Sequence, residues 1–143
     1  MNNTISFKLL KKEDIKDMLV LISQMHPELT SNEIESLQTE MFTHSNYRCF
    51  GLFYDQQLIG ISSCWISVRF YSGKQLEVVN VIIDNNLQSK GYGKLFFNYI
   101  EEWANQHECK SVELNTYVHN SRSHKFYFNS GYSIYGYHFV KPL

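Results

Sequence analysis

The sequence predicts an α/β domain in which a mixed sheet is flanked by helices. Two helical stretches follow a short opening strand, and three strand-like segments rich in β-branched and aromatic residues occupy the middle of the chain. A strand–helix–strand succession then leads to a further helix and a closing strand. Meander strands next to a β-α-β unit are typical of a mixed sheet with helices on its faces. The predicted order is β-α-α-β-β-β-α-β-α-β, with a central, mostly antiparallel sheet.

The first half of the chain accounts for the opening strand, two helices and the meander. TISFKLL (4–10) predicts the strand, and Pro27 ends a first helix whose apolar residues recur at helical spacing. Thr30 and Glu33 form a capping box ahead of the second helix. YRCFGLFY (47–54) and LIGISSCWISVRF (58–70) predict two strands, and YSGK (71–74) predicts a hairpin turn into LEVVNVII (76–83).

The second half predicts two helices between strands. Residues 94–107 carry an apolar stripe that includes Phe96, Ile100 and Trp103. SVELNTYV (111–118) predicts a strand, and residues 120–130 a short helix that Gly131 ends as a left-handed cap. YSIYGYHFV (132–140) alternates like a strand, with a bulge or bend at Gly136. No repeat, low-complexity stretch or linker divides the chain, so residues 1–143 are expected to form one domain.

Composition narrows the class of protein. A net charge of -1 argues against general nucleic-acid binding, which needs a basic surface. No apolar run reaches the roughly 18–20 residues that cross a bilayer, and no signal peptide is indicated. Cys49, Cys64 and Cys109 have no C-x-x-C spacing, which suits a reducing compartment, so we expect a cytoplasmic protein. The histidines are not at metal-ligand spacing, and no metal is expected.

A glycine-bearing stretch, QSKGYG (residues 88–93, the glycine loop), lies between a strand and a helix. Helix N-termini attract anions because their first N–H groups lack intrahelical partners, and glycine lets a ligand approach the backbone. The alternative is a plain turn with solvated lysines. A dinucleotide-binding fingerprint would need a third glycine where Phe96 stands, and a P-loop would need glycine at Gln88 and Ser or Thr at Leu95. Neither nucleotide motif is present.

The glycine loop instead fits the pattern Q/R-x-x-G-x-G/A, and a second motif follows about 30 residues later. That motif, N-x-x-[A/S]-x-x-[FLY]-Y-x-x-x-G-[FY], is NSRSHKFYFNSGY (residues 120–132) here. With both motifs in register, the sequence resembles the GNAT superfamily of N-acetyltransferases over most of its length. The resemblance implies acetyl-CoA as co-substrate, with its pyrophosphate on the loop and its pantetheine arm paired to the preceding strand. The cofactor-binding residues it implies are Val81, Ile82, Ile83, Gln88, Ser89, Lys90, Gly91, Tyr92, Gly93, Lys94, Asn120 and Tyr127.

The resemblance also assigns catalytic roles. Tyr127 corresponds to the tyrosine that protonates the CoA sulfur, and a phenol with an unperturbed pKa of about 10 is protonated at neutral pH. Glu77, eleven residues before Gln88, matches the strand glutamate that takes the amine proton, although it could equally be a solvated residue. Strand alternation places Glu77 on one side with Val81 and Ile83, and Asn80 on the other. A backbone N–H in residues 81–83 is expected to serve the oxyanion, and Asn120 could also act as a helix N-cap.

We expect direct attack by a primary amine of a small molecule in a ternary complex. Aromatic residues in 132–140 and acids in residues 24–44 could form a pocket for a cationic amine, or could be sheet packing and a solvated helix face. They are Tyr135, Tyr137, Phe139, Glu28, Glu33, Glu35 and Glu40. A protein or peptide amine, or a non-catalytic CoA-binding module, are the alternatives. The closing strand could pair across a two-fold axis, which leaves a homodimer open.

Overall fold

A five-stranded sheet organises the fold. The computed structural model describes residues 4–143, and its strands are β1 (Ile5–Leu9), β2 (Tyr47–Tyr54), β3 (Gln57–Arg69), β4 (Gly73–Ile83) and β5 (Ser111–Leu114). They lie side by side in sequence order, and the first four pair antiparallel. Helix α3 (Tyr92–Gln106) connects β4 to its neighbour β5, as in a β-α-β unit, so the sheet is mixed. The predicted α/β fold class is confirmed.

The other helices are α1 (Ile15–Met25), α2 (Ser31–Phe42) and α4 (Ser121–Asn129). The capping box before α2 forms as predicted: the Glu33 N–H donates to Thr30 Oγ1 at 3.1 Å, and the Thr30 N–H donates to Glu33 Oε2 at 2.7 Å. Gly131 follows α4 with φ of +92°, the left-handed conformation predicted for it. These local signals therefore set the helix ends where the sequence indicates.

The sheet has an apolar layer on each side. On the side that we call the α3 face, the Phe50 ring lies 5.1 Å from Trp103 and 6.1 Å from Tyr99. On the opposite α1 face, the fully buried Met18 packs in one cluster with residues of β2, β3 and β4. Burial of each such side chain contributes roughly 1.5–3 kcal/mol to the free energy of folding. This contribution holds the helices against the sheet and fixes the direction of β4.

A β-bulge in β4 changes which side chains share a face. Ser63 pairs with Asn80 and Cys64 pairs with Val78, so Val79 has no partner across the sheet. Paired residues in an antiparallel sheet point to the same side. Glu77, opposite Trp65, therefore lies on the α1 face together with Asn80 and Ile82, whereas Val81 and Ile83 lie on the α3 face. The expectation from plain alternation, which grouped Glu77 with Val81 and Ile83, is wrong because the extra residue reverses the alternation.

The chain divides into two compact units, one ending at Glu113 and the other comprising Leu114–Leu143. One domain over residues 1–143 therefore stays a prediction. The predicted closing strand is absent: the structure assigns neither helix nor strand to residues 132–143, the closing segment. Alternation marks a segment that suits a strand, but a strand also needs a hydrogen-bonded neighbour. Within residues 4–143, no helix is both long and apolar enough to cross a bilayer.

Candidate active site

The connection from β4 to α3 is tied down by its own hydrogen bonds. The Asp84 N–H donates to the Ile59 carbonyl at 2.9 Å, which fixes the end of β4 against the start of β3. One turn of 3-10 helix (Asn85–Leu87) follows, and Asp84 Oδ1 accepts from the Asn86 N–H at 3.1 Å. The chain therefore enters the glycine loop in a defined direction.

Gln88, the first residue of the glycine loop, braces this connection. Its Nε2 donates to the Ile83 carbonyl at 3.2 Å and to Asn85 Oδ1 at 3.0 Å. An exposed amide that links the end of a strand to the following turn holds the loop in shape. The contact with acetyl-CoA expected of Gln88 stays a prediction beside this structural role.

The backbone is open at both glycines of the loop. Gly91 is the N-cap of α3 and has φ of +86°, a left-handed conformation that favours glycine. A Cβ built at Gly91 or at Gly93 would meet no atom within 4 Å. Packing within this chain therefore does not require glycine at 93, whereas a ligand lying against the backbone would. The exposed Lys90 and Lys94 flank this helix N-terminus, where the helix dipole also favours an anion.

A cavity lies next to this loop at the end of β4. Its volume is about 170 Å³, and its lining residues are Gln24, Met25, Val81, Ile82, Ile83, Asn85 and Gln88. Ligand pockets typically measure about 300–1,000 Å³, so this cavity suits a slender part of a ligand. The Asn85 N–H donates to Gln24 Oε1 at 2.9 Å, which holds the end of α1 against the turn that precedes the glycine loop. Gln24 and Met25 had no motif to single them out in the sequence.

A network of hydrogen bonds on the α1 face anchors β4 beside its bulge. Asn80 accepts twice, its carbonyl from Ser62 Oγ at 2.8 Å and its Oδ1 from the Ser63 N–H at 3.0 Å. Ser63 Oγ shares a 2.7 Å hydrogen bond with the Tyr47 hydroxyl, to which Gln38 Nε2 donates at 2.8 Å. Burial raises the pKa of the Tyr47 phenol, so it stays protonated. In the sequence, this hydrogen-bonded network was indicated only by polar residues inside otherwise apolar strands.

Glu77 lies on β4 next to a group of aromatic side chains. It is half-buried and opposite Trp65, whose ring centroid is 4.8 Å from that of Tyr47 and 5.5 Å from that of His44. A half-buried carboxylate beside an indole ring can attract a cation by charge and by the ring face. Glu77 is the fifth residue of β4, which starts at Gly73, three residues earlier than predicted, after a turn at residues 70–72.

The second unit carries the remaining two candidates on α4. Asn120 Oδ1 accepts from the Ser123 N–H at 3.2 Å, so its alternative role as helix N-cap is confirmed. Tyr127 is half-buried, with its ring 5.5 Å from Phe126 and 5.7 Å from Tyr132. Burial raises the pKa of Tyr127 above its ordinary value, which keeps the phenol protonated and able to donate.

The acids considered for an acceptor pocket face solvent. Glu28, Glu33, Glu35 and Glu40 are all exposed, Glu33 serves the capping box, and Glu28 Oε1 lies 3.0 Å from His26 Nδ1. The structure therefore favours the alternative in which these acids are solvated rather than part of an acceptor pocket. Within the part of the chain that the structure describes, no group of three or more His, Cys, Asp or Glu is placed to hold a metal ion.

Comparison with known proteins gives consistent matches. The model of the acetyltransferase (GNAT) family matches residues 15–132. An uncharacterized N-acetyltransferase, YhdJ of Bacillus subtilis (strain 168), is 23% identical over 137 residues, covering 95% of this chain and 96% of the relative. The solved aminoglycoside N-acetyltransferase AAC(6')-Iy, in complex with CoA, has a TM-score of 0.86 at 14% identity, over 100% of this chain and 97% of its own. A ribosomal-protein-alanine N-acetyltransferase from Brucella melitensis has a TM-score of 0.82 at 14% identity, over 98% and 100%.

Proposed function

Because the chain belongs to the acetyltransferase (GNAT) family and is an acyltransferase enzyme, we propose that it moves an acetyl group from acetyl-CoA to a primary amine of a small molecule. The amine would attack directly in a ternary complex. The observation that carries this proposal is the open backbone at Gly91 and Gly93, at the helix N-terminus that directly follows β4.

The donor would lie along the end of β4. The glycine loop offers open space beside Gly91 and Gly93, the first N–H groups of α3 and the positive end of the α3 dipole to a pyrophosphate, and Lys90 and Lys94 add charge. Residues 81–83 line the adjacent cavity, which has room for a slender chain such as pantetheine. Acetyl-CoA supplies an activated thioester, and the protein's part is to hold it and to handle protons.

Two side chains of this protein would handle the protons. Glu77 takes a proton from the ammonium group, directly or through a water, and a backbone N–H within residues 81–83 donates to the carbonyl oxygen as negative charge develops. Tyr127 gives its proton to the departing sulfur, and its raised pKa keeps that proton in place at neutral pH. We expect Tyr127→Phe to lower kcat while leaving the unfolding transition unchanged. An unchanged kcat at saturating substrate would remove Tyr127 from this role.

The acceptor would approach on the α1 face. Glu77 and Trp65 are cross-strand neighbours there, and an ammonium group would interact favourably with both the carboxylate and the indole. The similar solved enzymes are named for acceptors of two kinds, an aminoglycoside and the alanine of a ribosomal protein. A small amine is therefore the proposed acceptor, and a protein or peptide amine is the second candidate acceptor.

Ligand-induced stabilisation followed by turnover tests the proposal. Acetyl-CoA at 100 times its Kd should stabilise the fold by about 2.7 kcal/mol. Acetyl-pantetheine, which lacks the pyrophosphate, should stabilise far less if the loop holds that group. Release of free thiol is then followed over a panel of small amines and N-terminal peptides. Absence of stabilisation by both acetyl-CoA and CoA would refute the donor site, and binding without thiol release would favour a CoA-binding module.

The setting of the reaction is part of the proposal. Cys49 and Cys64 are buried and unpaired by any disulfide, and Cys109 is also a free thiol, as in a reducing cytoplasm. The cytoplasmic location and the independence of a metal both stay predictions. Turnover that is unchanged after treatment with a chelator is the result expected for a reaction carried by Glu77, Tyr127 and the backbone.

A further inference from the structure

One buried side chain, that of Tyr47, contacts the facing residues on both sides of the bulge in β4. Its ring centroid lies 4.8 Å from that of Trp65, which pairs with Glu77 ahead of the bulge. Its hydroxyl lies 2.7 Å from Ser63 Oγ, and Ser63 pairs with Asn80 beyond the bulge. The part of β4 that carries the candidate base and the part that leads to the oxyanion donor therefore both lie opposite neighbours of this one tyrosine.

Side chains hold the backbone on the far side of the bulge. Ser62 Oγ donates to the Asn80 carbonyl at 2.8 Å, and the Ser63 N–H donates to Asn80 Oδ1 at 3.0 Å. Ser62 is 0% exposed and Ser63 is 4% exposed, so water does not compete for these bonds. Hydrogen bonds in such an interior are electrostatically stronger than those in water. Asn80, the residue that follows the bulge, is therefore fixed to β3, and residues 81–83 continue from it.

Helix α2 restrains the Tyr47 side chain from the other direction. Gln38, which is 3% exposed, donates from Nε2 to the Tyr47 hydroxyl at 2.8 Å. The Tyr47 ring also lies edge-on to Phe42, with 5.4 Å between the ring centroids. Packing thus restricts the plane of the ring, and two hydrogen bonds restrict the position of its hydroxyl. Through this side chain, α2 and the two strands on either side of the bulge form one connected structure.

The buried network provides a defined geometry rather than net stability. Burying a polar group costs free energy that its hydrogen bonds offset, and apolar residues of the same shape can fill such a space with nearly equal stability. A fully bonded buried network, by contrast, makes the segments that it joins rigid in one arrangement. Here those segments include both parts of β4 that the reaction would use.

We propose that Tyr47, oriented by Gln38, is a positioning residue for acetyl transfer: it fixes the spacing across the bulge between Glu77 and the backbone N–H groups of residues 81–83. The inference rests on the proposed function, and Tyr47 itself touches neither substrate. The spacing matters because the base must reach the amine while the oxyanion donor reaches the carbonyl that the amine attacks. A misplacement of about 1 Å can lower the rate of such a reaction about 100-fold.

Two variants separate positioning from stability. Tyr47→Phe keeps the ring and removes the hydroxyl, so kcat should fall about tenfold or more. The Kd for acetyl-CoA should not change, because the glycine loop lies beyond the end of β4. The variant Gln38→Met/Tyr47→Phe/Ser63→Ala, the apolar variant, leaves no side-chain partner of that hydroxyl unbonded and should regain most of the urea midpoint that Tyr47→Phe loses. Its kcat should nevertheless stay low, and recovery of kcat together with the midpoint would overturn the proposal.

Ile34→Val is the matched control for lost stability. Ile34 is 2% exposed and precedes Gln38 by about one turn of α2. The smaller side chain should lower the urea midpoint without removing a hydrogen bond of the network, and kcat should remain that of the wild type. If Ile34→Val lost as much kcat as Tyr47→Phe does, a general loss of stability would explain both, and the positioning role would be refuted.

Hydrogen exchange followed by mass spectrometry tests the same point without turnover. Amides of residues 77–83 should exchange at least about tenfold faster in the apolar variant than in the wild type, although its midpoint has recovered. Ile34→Val should not single out this segment. Unchanged exchange in the apolar variant would overturn the positioning role. Faster exchange there, together with a wild type that transfers no acetyl group, would contradict the proposed function instead and would still support the restraint of β4 by Tyr47.

Discussion

Replacing each loop glycine by alanine should separate folding from donor binding. Gly91 has φ of +86°, and a Cβ built there meets no atom within 4 Å. Gly91→Ala should therefore be destabilised only by the left-handed backbone conformation of residue 91. That conformation costs an alanine about 1–2 kcal/mol, partly offset by about 0.4–1 kcal/mol of lost freedom in the unfolded chain. We therefore expect the free energy of unfolding to fall by about 1 kcal/mol in the absence of ligand.

Gly93→Ala should behave in the opposite way. Gly93 lies in the first turn of α3, and a Cβ there meets nothing within 4 Å, so alanine should add about 0.5 kcal/mol of stability. The two variants would then differ by about 1.5 kcal/mol, or roughly 6 °C in Tm for a chain of this size. The added methyl group would nevertheless occupy the space proposed for the pyrophosphate. Overpacking typically costs about 1–3 kcal/mol, so the Kd for acetyl-CoA should rise about fivefold or more.

Urea unfolding without ligand and calorimetric titration with acetyl-CoA give the two readouts. Acetyl-pantetheine is the control ligand, because the methyl group at residue 93 should leave its weaker binding unchanged. A Gly93→Ala protein that binds acetyl-CoA with wild-type affinity would refute the idea that the backbone there is kept open for the donor. Equal stability of the two variants would refute the conformational part of the argument.

Three further outcomes follow from the site. Tyr47→Phe removes the hydrogen bonds of its hydroxyl to the buried Gln38 and Ser63 and should lower the free energy of unfolding by about 1–3 kcal/mol in urea; an unaltered midpoint would contradict this. Glu77→Gln should remove the acidic limb of the kcat/KM pH profile, and a retained limb would exclude Glu77 as the base. Burial raises the pKa of Cys49 and of Cys64 to about 12, so a thiol reagent at pH 8 should label only Cys109 before unfolding; early labelling of either buried thiol would count against the buried core.

The elements that depend on local chemistry were predictable from the sequence. The capping box of Thr30 and Glu33, the left-handed Gly131 and the helix after the glycine loop all have short-range causes, and each appears where expected. The same holds for the position of the glycine loop between β4 and α3. Motif spacing along the chain was enough to recognise the family, which the match over residues 15–132 confirms.

The features that were missed depend on pairing between distant segments. The bulge at Val79 arises because β3 and β4 meet with one residue to spare, which alternation within β4 alone cannot reveal. It moved Glu77 to the α1 face and so changed which helices border the candidate base. The closing segment is the second example, since its pattern suits a strand but the availability of a neighbour is not written in the pattern. The contact of Gln24 with Asn85 likewise joins residues 61 positions apart.

The bulge also has a consequence for how the gene can change. Deletion of one codon inside a strand is normally strongly destabilising, because every residue beyond it turns to the opposite side of the sheet. Val79 is an exception, since it has no partner across from it and is half exposed. A chain that lost this codon would keep each β3–β4 pair and each side chain on its present side, while the local bend would disappear. Deletion of Val79 thus tests the effect of the bend separately from that of the surrounding side chains, which no substitution can do.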